Sequence, residues 1–204
     1  MSDYFAGEGA DVWVPVPVVF GEEEWASGRE WAEWFAEAAT RGREDADSLR
    51  DSVLEQALLI SGYPAEGLAG RYWHYPVDGV PSGFVDVRVA SRGAGEGEAS
   101  RLLPDAGETA LMPVEQTLDV PPFSSAVRRL TLRDVTVGSD DGTGAAPGED
   151  RPGTLAFGEW LGVTADAVCY LTSFDTDVES LTHRLEDTQR LFAAFGDVLV
   201  AEAV

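Results

Sequence analysis

The chain has 204 residues, 44% of them hydrophobic and 10% aromatic, with 37 acidic side chains against 14 basic ones and a net charge of -23. This is enough apolar material for one domain with a substantial core, and it excludes a disordered chain. All 14 cations are arginine, so Schiff-base chemistry and a phosphate-loop lysine are absent, and a chain this acidic repels the phosphate backbone on which DNA or RNA binding rests.

Arginine in place of lysine, with abundant Glu, Asp, Ala and Gly, is what GC-rich codons favour, a composition of actinobacterial type; adaptation to high salt through an acidic surface is the other source. Cys169 is the only cysteine, which excludes an intrachain disulfide and a cysteine-based zinc site. The first ten residues have neither a basic start nor an apolar run, and no segment approaches ~18 uninterrupted apolar residues. The expectation is a cytoplasmic protein with no membrane partner.

Residues 11–20 are β-branched and apolar but carry Pro15 and Pro17. Proline cannot donate to a ladder, so this segment is expected as an edge strand or an extended arm. Over Glu22–Arg41 the period becomes helical: Trp25, Gly28, Ala32, Phe35 and Ala39 fall on one stripe, with Trp31, Trp34 and Ala38 beside it. Glu22, Glu23 and Glu24 are expected in its first turn, where the helix dipole favours negative charge. A second helix is predicted from about Ser48 to Ile60, capped by Asp47, with Leu49, Val53, Ala57 and Ile60 inward, stopping at Gly62-Tyr-Pro64.

From Gly70 the pattern is β. Arg71–Tyr75 and Phe84–Ala90 flank a turn-rich segment and read as a hairpin with a long loop. Val85, Val87 and Val89 alternate with Asp86 and Arg88, which predicts one buried and one wet face. Residues 92–107 and 138–153 are expected as mobile loops, and 109–117 as a strand weakened by Pro113. In Ala126–Val137 the apolar parity changes between Leu132 and Val135, so a bulge is predicted. Thr154–Val163 and Ala167–Phe174 form the clearest hairpin, and a last helix runs from Val178 to Phe195, ended by Gly196. Segregated strands and short connections predict a single α+β domain over 1–204, in which an antiparallel sheet of about five to seven strands is packed by an N-terminal helical pair and a long C-terminal helix.

Chemistry-bearing motifs are sparse. His74 and His183 are the only histidines, and each is read as structural or surface, because no nucleophile motif accompanies either. Cys169 is read as a small buried thiol. Ser139-Asp-Asp-Gly-Thr-Gly144 with Glu149-Asp150 lacks the register of a calcium loop. Gly93-Ala-Gly95-Glu-Gly97 opens no helix, and its glutamate would repel a pyrophosphate. No catalytic residue, cofactor or metal site is assigned. The surplus lies in aromatics: Trp25, Trp31 and Trp34 span too broad an arc for one narrow stripe, and Tyr72, Trp73 and Tyr75 face Phe84 across the hairpin. These seven are the candidate interaction residues.

The closing order of elements, Ala126–Val137, Thr154–Val163 and Ala167–Phe174 leading through Asp175 into Val178–Phe195, resembles the end of the Mog1/PsbP-like superfamily. The proline-broken arm at Val14-Pro-Val-Pro-Val18 is similar to the first strand of such domains. The resemblance covers the C-terminal half and implies an antiparallel sheet sandwiched by helices and a non-enzymatic binding or assembly role. It carries over no functional residue. The chain differs from the secreted relatives in its N-terminus and in the helical pair over 22–60.

Two functions fit these features. The first is a non-enzymatic interaction module, an adaptor, chaperone-like or secretion-accessory factor, that meets a basic protein partner with its acidic surface and anchors it with aromatics; a second copy of the chain is another admissible partner. The alternative is a small-molecule binder or enzyme with a carboxylate-based site in a sheet–helix cavity.

Overall fold

The computed structural model describes residues 12–21, 24–75, 82–93, 97–137 and 151–202. Its elements in chain order are β1 (Trp13–Val16), α1 (Gly28–Thr40), α2 (Ala46–Gly62), β2 (Gly70–His74), β3 (Ser82–Ser91), α3 (Ala99–Leu102), β4 (Val114–Leu118), β5 (Ser125–Val137), β6 (Arg151–Val163), β7 (Ala167–Asp175), α4 (Val178–His183) and α5 (Leu185–Glu202). The seven strands form one sheet in the order β1-β2-β3-β7-β6-β5-β4, with antiparallel pairing throughout. The α+β class follows from this segregation of strands and helices.

Successive strand residues point to opposite faces, and both faces are covered. Val85 and Val87 of β3 pack with Trp160, Leu171, Leu191, Phe192 and Phe195, so α5 lies on their face. Phe84, their neighbour in β3, packs with Trp73, Trp31, Phe35, Val53 and Ile60, so α1 and α2 lie on the other. The short α3 covers the far end of that second face, where Ala99 meets Val127, Leu161 and Val163. It interrupts the segment 92–107, which reads as loop because one turn of helix leaves no periodic signature.

β1 takes the sheet edge, where Pro15 is tolerated. The remaining departures from the sequence expectations have local causes. Helix α1 starts at Gly28 and not at Glu22: the Ser27 hydroxyl accepts from the Glu30 N–H, and the Glu30 carboxylate reaches back to the Ala26 N–H. These two bonds satisfy backbone donors that a helix starting earlier would hide, so Glu24 and Trp25 precede the helix. Glu22 and Glu23 lie outside the described residues. Helix α2 starts two residues early, at Ala46. β4 lies at 114–118, just past Pro113. β5 pairs with β6 in unbroken register from Ser125 to Val137. No bulge is needed, because Leu132 and Val135 are both only half-buried, so neither face of that stretch has to be inward. β6 begins at Arg151, so the second predicted loop is strand over 151–153, while 138–150 lies outside the described residues. In β3 Val85 and Val87 are buried and Arg88 is exposed as expected, but Asp86 is covered by its pairing with Arg71, and Val89, expected inward, is exposed.

The C-terminal helix is two helices. It breaks at Arg184, whose guanidinium turns to the sheet end and donates to Ser173 Oγ, Asp175 Oδ2 and the Phe174 carbonyl. Gly196 does not terminate α5. A Cβ there would lie 2.8 Å from Pro122 Cδ and 2.9 Å from Phe123, so this glycine permits close approach of the helix to the loop before β5.

Arg71 joins α2 to the sheet. Its Nη1 donates to the Ile60 and Tyr63 carbonyls, its Nη2 to the Pro64 carbonyl and Asp86 Oδ2, and its Nε to Asp86 Oδ1 at 2.6 Å. The orphan carbonyls at the end of a helix are thus met by a buried cation that is itself neutralised from the neighbouring strand. Arg71→Met leaves Asp86 and these carbonyls without donors and is expected to cost about 3–5 kcal/mol in urea unfolding. Arg71→Lys does not restore this, because an ammonium cannot reproduce the five-donor fork.

Candidate functional site

The fold sorts the seven aromatic candidates into three groups. Trp31, Trp73 and Phe84 are buried core residues. Trp31 stacks on Phe35 at 5.6 Å between centroids, and Phe35 meets Trp73 at 5.2 Å and Tyr75 at 5.5 Å, leaving Tyr75 half-buried at the margin. Tyr72 points to the opposite face, against Phe195 of α5, where burial pushes its hydroxyl up to about 12. Trp25 is half-buried against the cluster beneath α1 and α2, and Trp34, its centroid 5.0 Å away, lies outside it and is 52% exposed.

A cleft of about 240 Å³ opens between α2 and the end of the sheet. Tyr63, Trp73, Phe84 and Phe174 line its walls, Leu59 is exposed along it, and Gly83 and Asp175 belong to its lining at the strand ends. It brings together Trp73 and Phe84 of the sequence candidates, and adds Tyr63 and Phe174, which lie too far away in sequence to be grouped with them.

At the same end of the sheet, on the α5 face, sits His74. Its Nδ1 is 2.8 Å from Ser82 Oγ and its Nε2 is 3.0 Å from Asp187 Oδ2. Trp13 meets the imidazole edge-on at 4.8 Å and donates its indole N–H to the Asp187 carbonyl. The sequence reading gives His74 no nucleophile; the fold supplies Ser82 across the hairpin and Asp187 from 113 residues away, a separation no motif spans. The pairing depends on a bulge. Trp73 opposes Phe84 but His74 opposes Ser82, so Gly83 is an extra residue that turns Ser82 to the side of His74. A side chain at Gly83 would run into the Arg184 guanidinium. His183 remains exposed on α4, beside Glu179.

The buried carboxylates are each engaged by arginine. Asp86 holds Arg71, Asp175 holds Arg184, and Glu159 holds Arg129 at 2.8 Å while accepting from Tyr170 at 2.5 Å. Each of these three carboxylates has a guanidinium, and not a second carboxylate, as its hydrogen-bonded charge partner. Burial pushes the Cys169 thiol up to about 12, which makes it unreactive as a nucleophile. Among the described residues no three His, Cys, Asp or Glu side chains converge to hold a metal ion, and no helix is long and apolar enough to cross a membrane. The acidic segment 139–150 lies outside the described residues.

Burial lowers the pKa of His74 from the ordinary 6.5; the hydrogen bond and charge of Asp187 oppose it in part, and the Arg184 charge adds a smaller lowering. A histidine held neutral by the fold contributes stability that is complete above the unfolded value of 6.5 and is lost as pH falls through the lower folded value. The free energy of unfolding is therefore expected to fall with acidification below 6.5, and urea titrations of His74→Gln should show a shallower decline over that window.

The chain was compared with protein-family models, with curated proteins and with solved structures, and none of them matches it.

Proposed function

We propose that the protein is an interaction module that docks a basic protein segment, with the Trp25–Trp34 pair receiving a guanidinium or ammonium group. The observation that carries this reading is the exposure of Trp34, since a large aromatic half in water beside a second indole serves no packing purpose. Both ring faces present negative quadrupoles to a cation. Glu30, Glu33 and Glu37 lie on α1 at positions adjacent to Trp34, all exposed. Arg29 lies 3.6 Å from Glu33, and Arg41 and Arg50 lie 3.9 and 3.7 Å from Glu37, loose exposed pairs that a partner can replace at little cost. The net charge of -23 steers a basic partner inward over long range, and salt screens that attraction.

The test is indole fluorescence titration of the whole protein with an arginine-rich peptide, using a glutamate-rich peptide as control. Binding is expected at low salt, weakening as salt rises. Trp34→Ala should reduce affinity about tenfold, the upper part of what cation–π contacts supply, with thermal stability close to that of the parent. Trp31→Ala, by contrast, should cost about 3–5 kcal/mol of stability because that ring is core. Equal affinity for Trp34→Ala and the parent, or no salt-sensitive binding, overturns the reading.

A further inference from the structure

We propose that Ser82, His74 and Asp187 form a nucleophile, base and orienting carboxylate that give the chain a carboxylic-ester hydrolase activity, separate from the indole surface. The assignment rests on a chain of constraints. A carboxylate is an acceptor, so Asp187 holds the imidazole proton on Nε2 and leaves the Nδ1 lone pair facing Ser82 Oγ at 2.8 Å. Asp187 is itself held: Arg190 donates to its other oxygen at 3.1 Å and the Trp13 indole donates to its backbone carbonyl. Trp13 also closes one edge of the imidazole. Nucleophile, base and orienter in hydrogen-bond sequence are the arrangement by which such sites are recognised whatever the fold.

The bulge sets Gly83 against the fully buried Arg184 guanidinium, which a side chain at 83 would strike, and so holds Ser82 on the side of His74. The strand ends at His74, Ser82 and Asp175 form one rim of the sheet. The aromatic cleft lies on the α2 side of the sheet, opposite His74, and none of Ser82, His74 and Asp187 lines it, so the substrate class is a small ester that needs no deep acyl pocket.

In the reaction Ser82 Oγ bonds to the acyl carbon as its proton passes to His74 Nδ1. The bond from that carbon to the alcohol oxygen breaks, and the departing alcohol takes the proton from His74. Water then attacks the acyl-serine, giving its proton to His74, which returns it to Ser82 as the free acid leaves. Ester and water are the only reactants. Asp187 is a positioning residue that keeps the base in the reactive tautomer.

The test exposes the full chain to a fluorophosphonate, which forms a serine–phosphorus bond with loss of fluoride and the hydroxyl proton, and to 4-nitrophenyl butyrate. The expected result is a single adduct by intact mass, mapped to Ser82, with ester turnover that falls about 100-fold in Ser82→Ala, the low end of what a positioned base contributes. Ser124→Ala, a hydroxyl bound to the Val163 carbonyl elsewhere, should leave both signals unchanged, as should Trp34→Ala, which separates this activity from peptide docking. Asp187→Asn should slow labelling and move the His74 proton from Nε2 to Nδ1 in nitrogen NMR, a change that loss of packing alone does not produce. A folded parent that takes no adduct at Ser82, or turnover unchanged in Ser82→Ala, overturns the proposal.

Discussion

One side of the molecule depends on the burial of Arg71 between a helix end and a sheet. A helix that stops in the interior leaves carbonyls without donors, and a cation placed there to satisfy them needs a counter-charge. Both demands meet in one side chain, because Arg71 and Asp86 are opposite partners in the β2–β3 ladder and so share a face. A register slip of one residue would send Asp86 to the other face and strand the cation. The aromatic ring of Phe84, 4.8 Å from the guanidinium, closes the remaining side. Helix α2, the cleft beside it and the hydrophobic cluster beneath α1 are all positioned by this contact.

Buried arginine–carboxylate pairing recurs at Arg184 with Asp175 and at Arg129 with Glu159, so among the described residues Arg71, Arg129 and Arg184 lie buried in a chain rich in acids. Burying a charge pair is seldom a source of net stability, since desolvation offsets much of the attraction. Its consequence here is geometric. The Arg184 guanidinium fixes the break between α4 and α5, determines that residue 83 has no side chain, and thereby supports the bulge that turns Ser82 toward His74. A structural ion pair and the candidate catalytic group are therefore coupled through one glycine. The least exposed carboxylates, Asp86, Asp175 and Glu159, are each partnered by one of these arginines.

The elements with strong periodicity were legible. The β6–β7 hairpin, the paired helices and the prolines of an edge strand all follow from side-chain spacing and backbone donors. Boundaries set by side-chain bonds were not: α1 starts where Ser27 accepts from the Glu30 N–H and the Glu30 carboxylate accepts from the Ala26 N–H, bonds that a run of glutamates at 22–24 does not reveal. Gly196 has the same identity as a helix terminator but serves a close contact with Phe123, which no local pattern encodes. For the site, the aromatic surplus was visible but its division was not. Trp31 and Trp34 differ by three residues, less than one helical turn, yet one ring is in the core and the other in water, because the sheet reaches only one side of α1.

By itself the sequence determined the α+β class, the antiparallel pairing, the absence of lysine chemistry and the net negative charge, since these follow from composition and from periods of two and 3.6 residues. Tertiary structure alone decided which indoles face water, where the carboxylates find their arginines, and that Ser82, His74 and Asp187 meet. Those outcomes require the pairing of strands, a one-residue shift between two of them, and a helix returning from the far end of the chain; local spacing carries no information about any of the three.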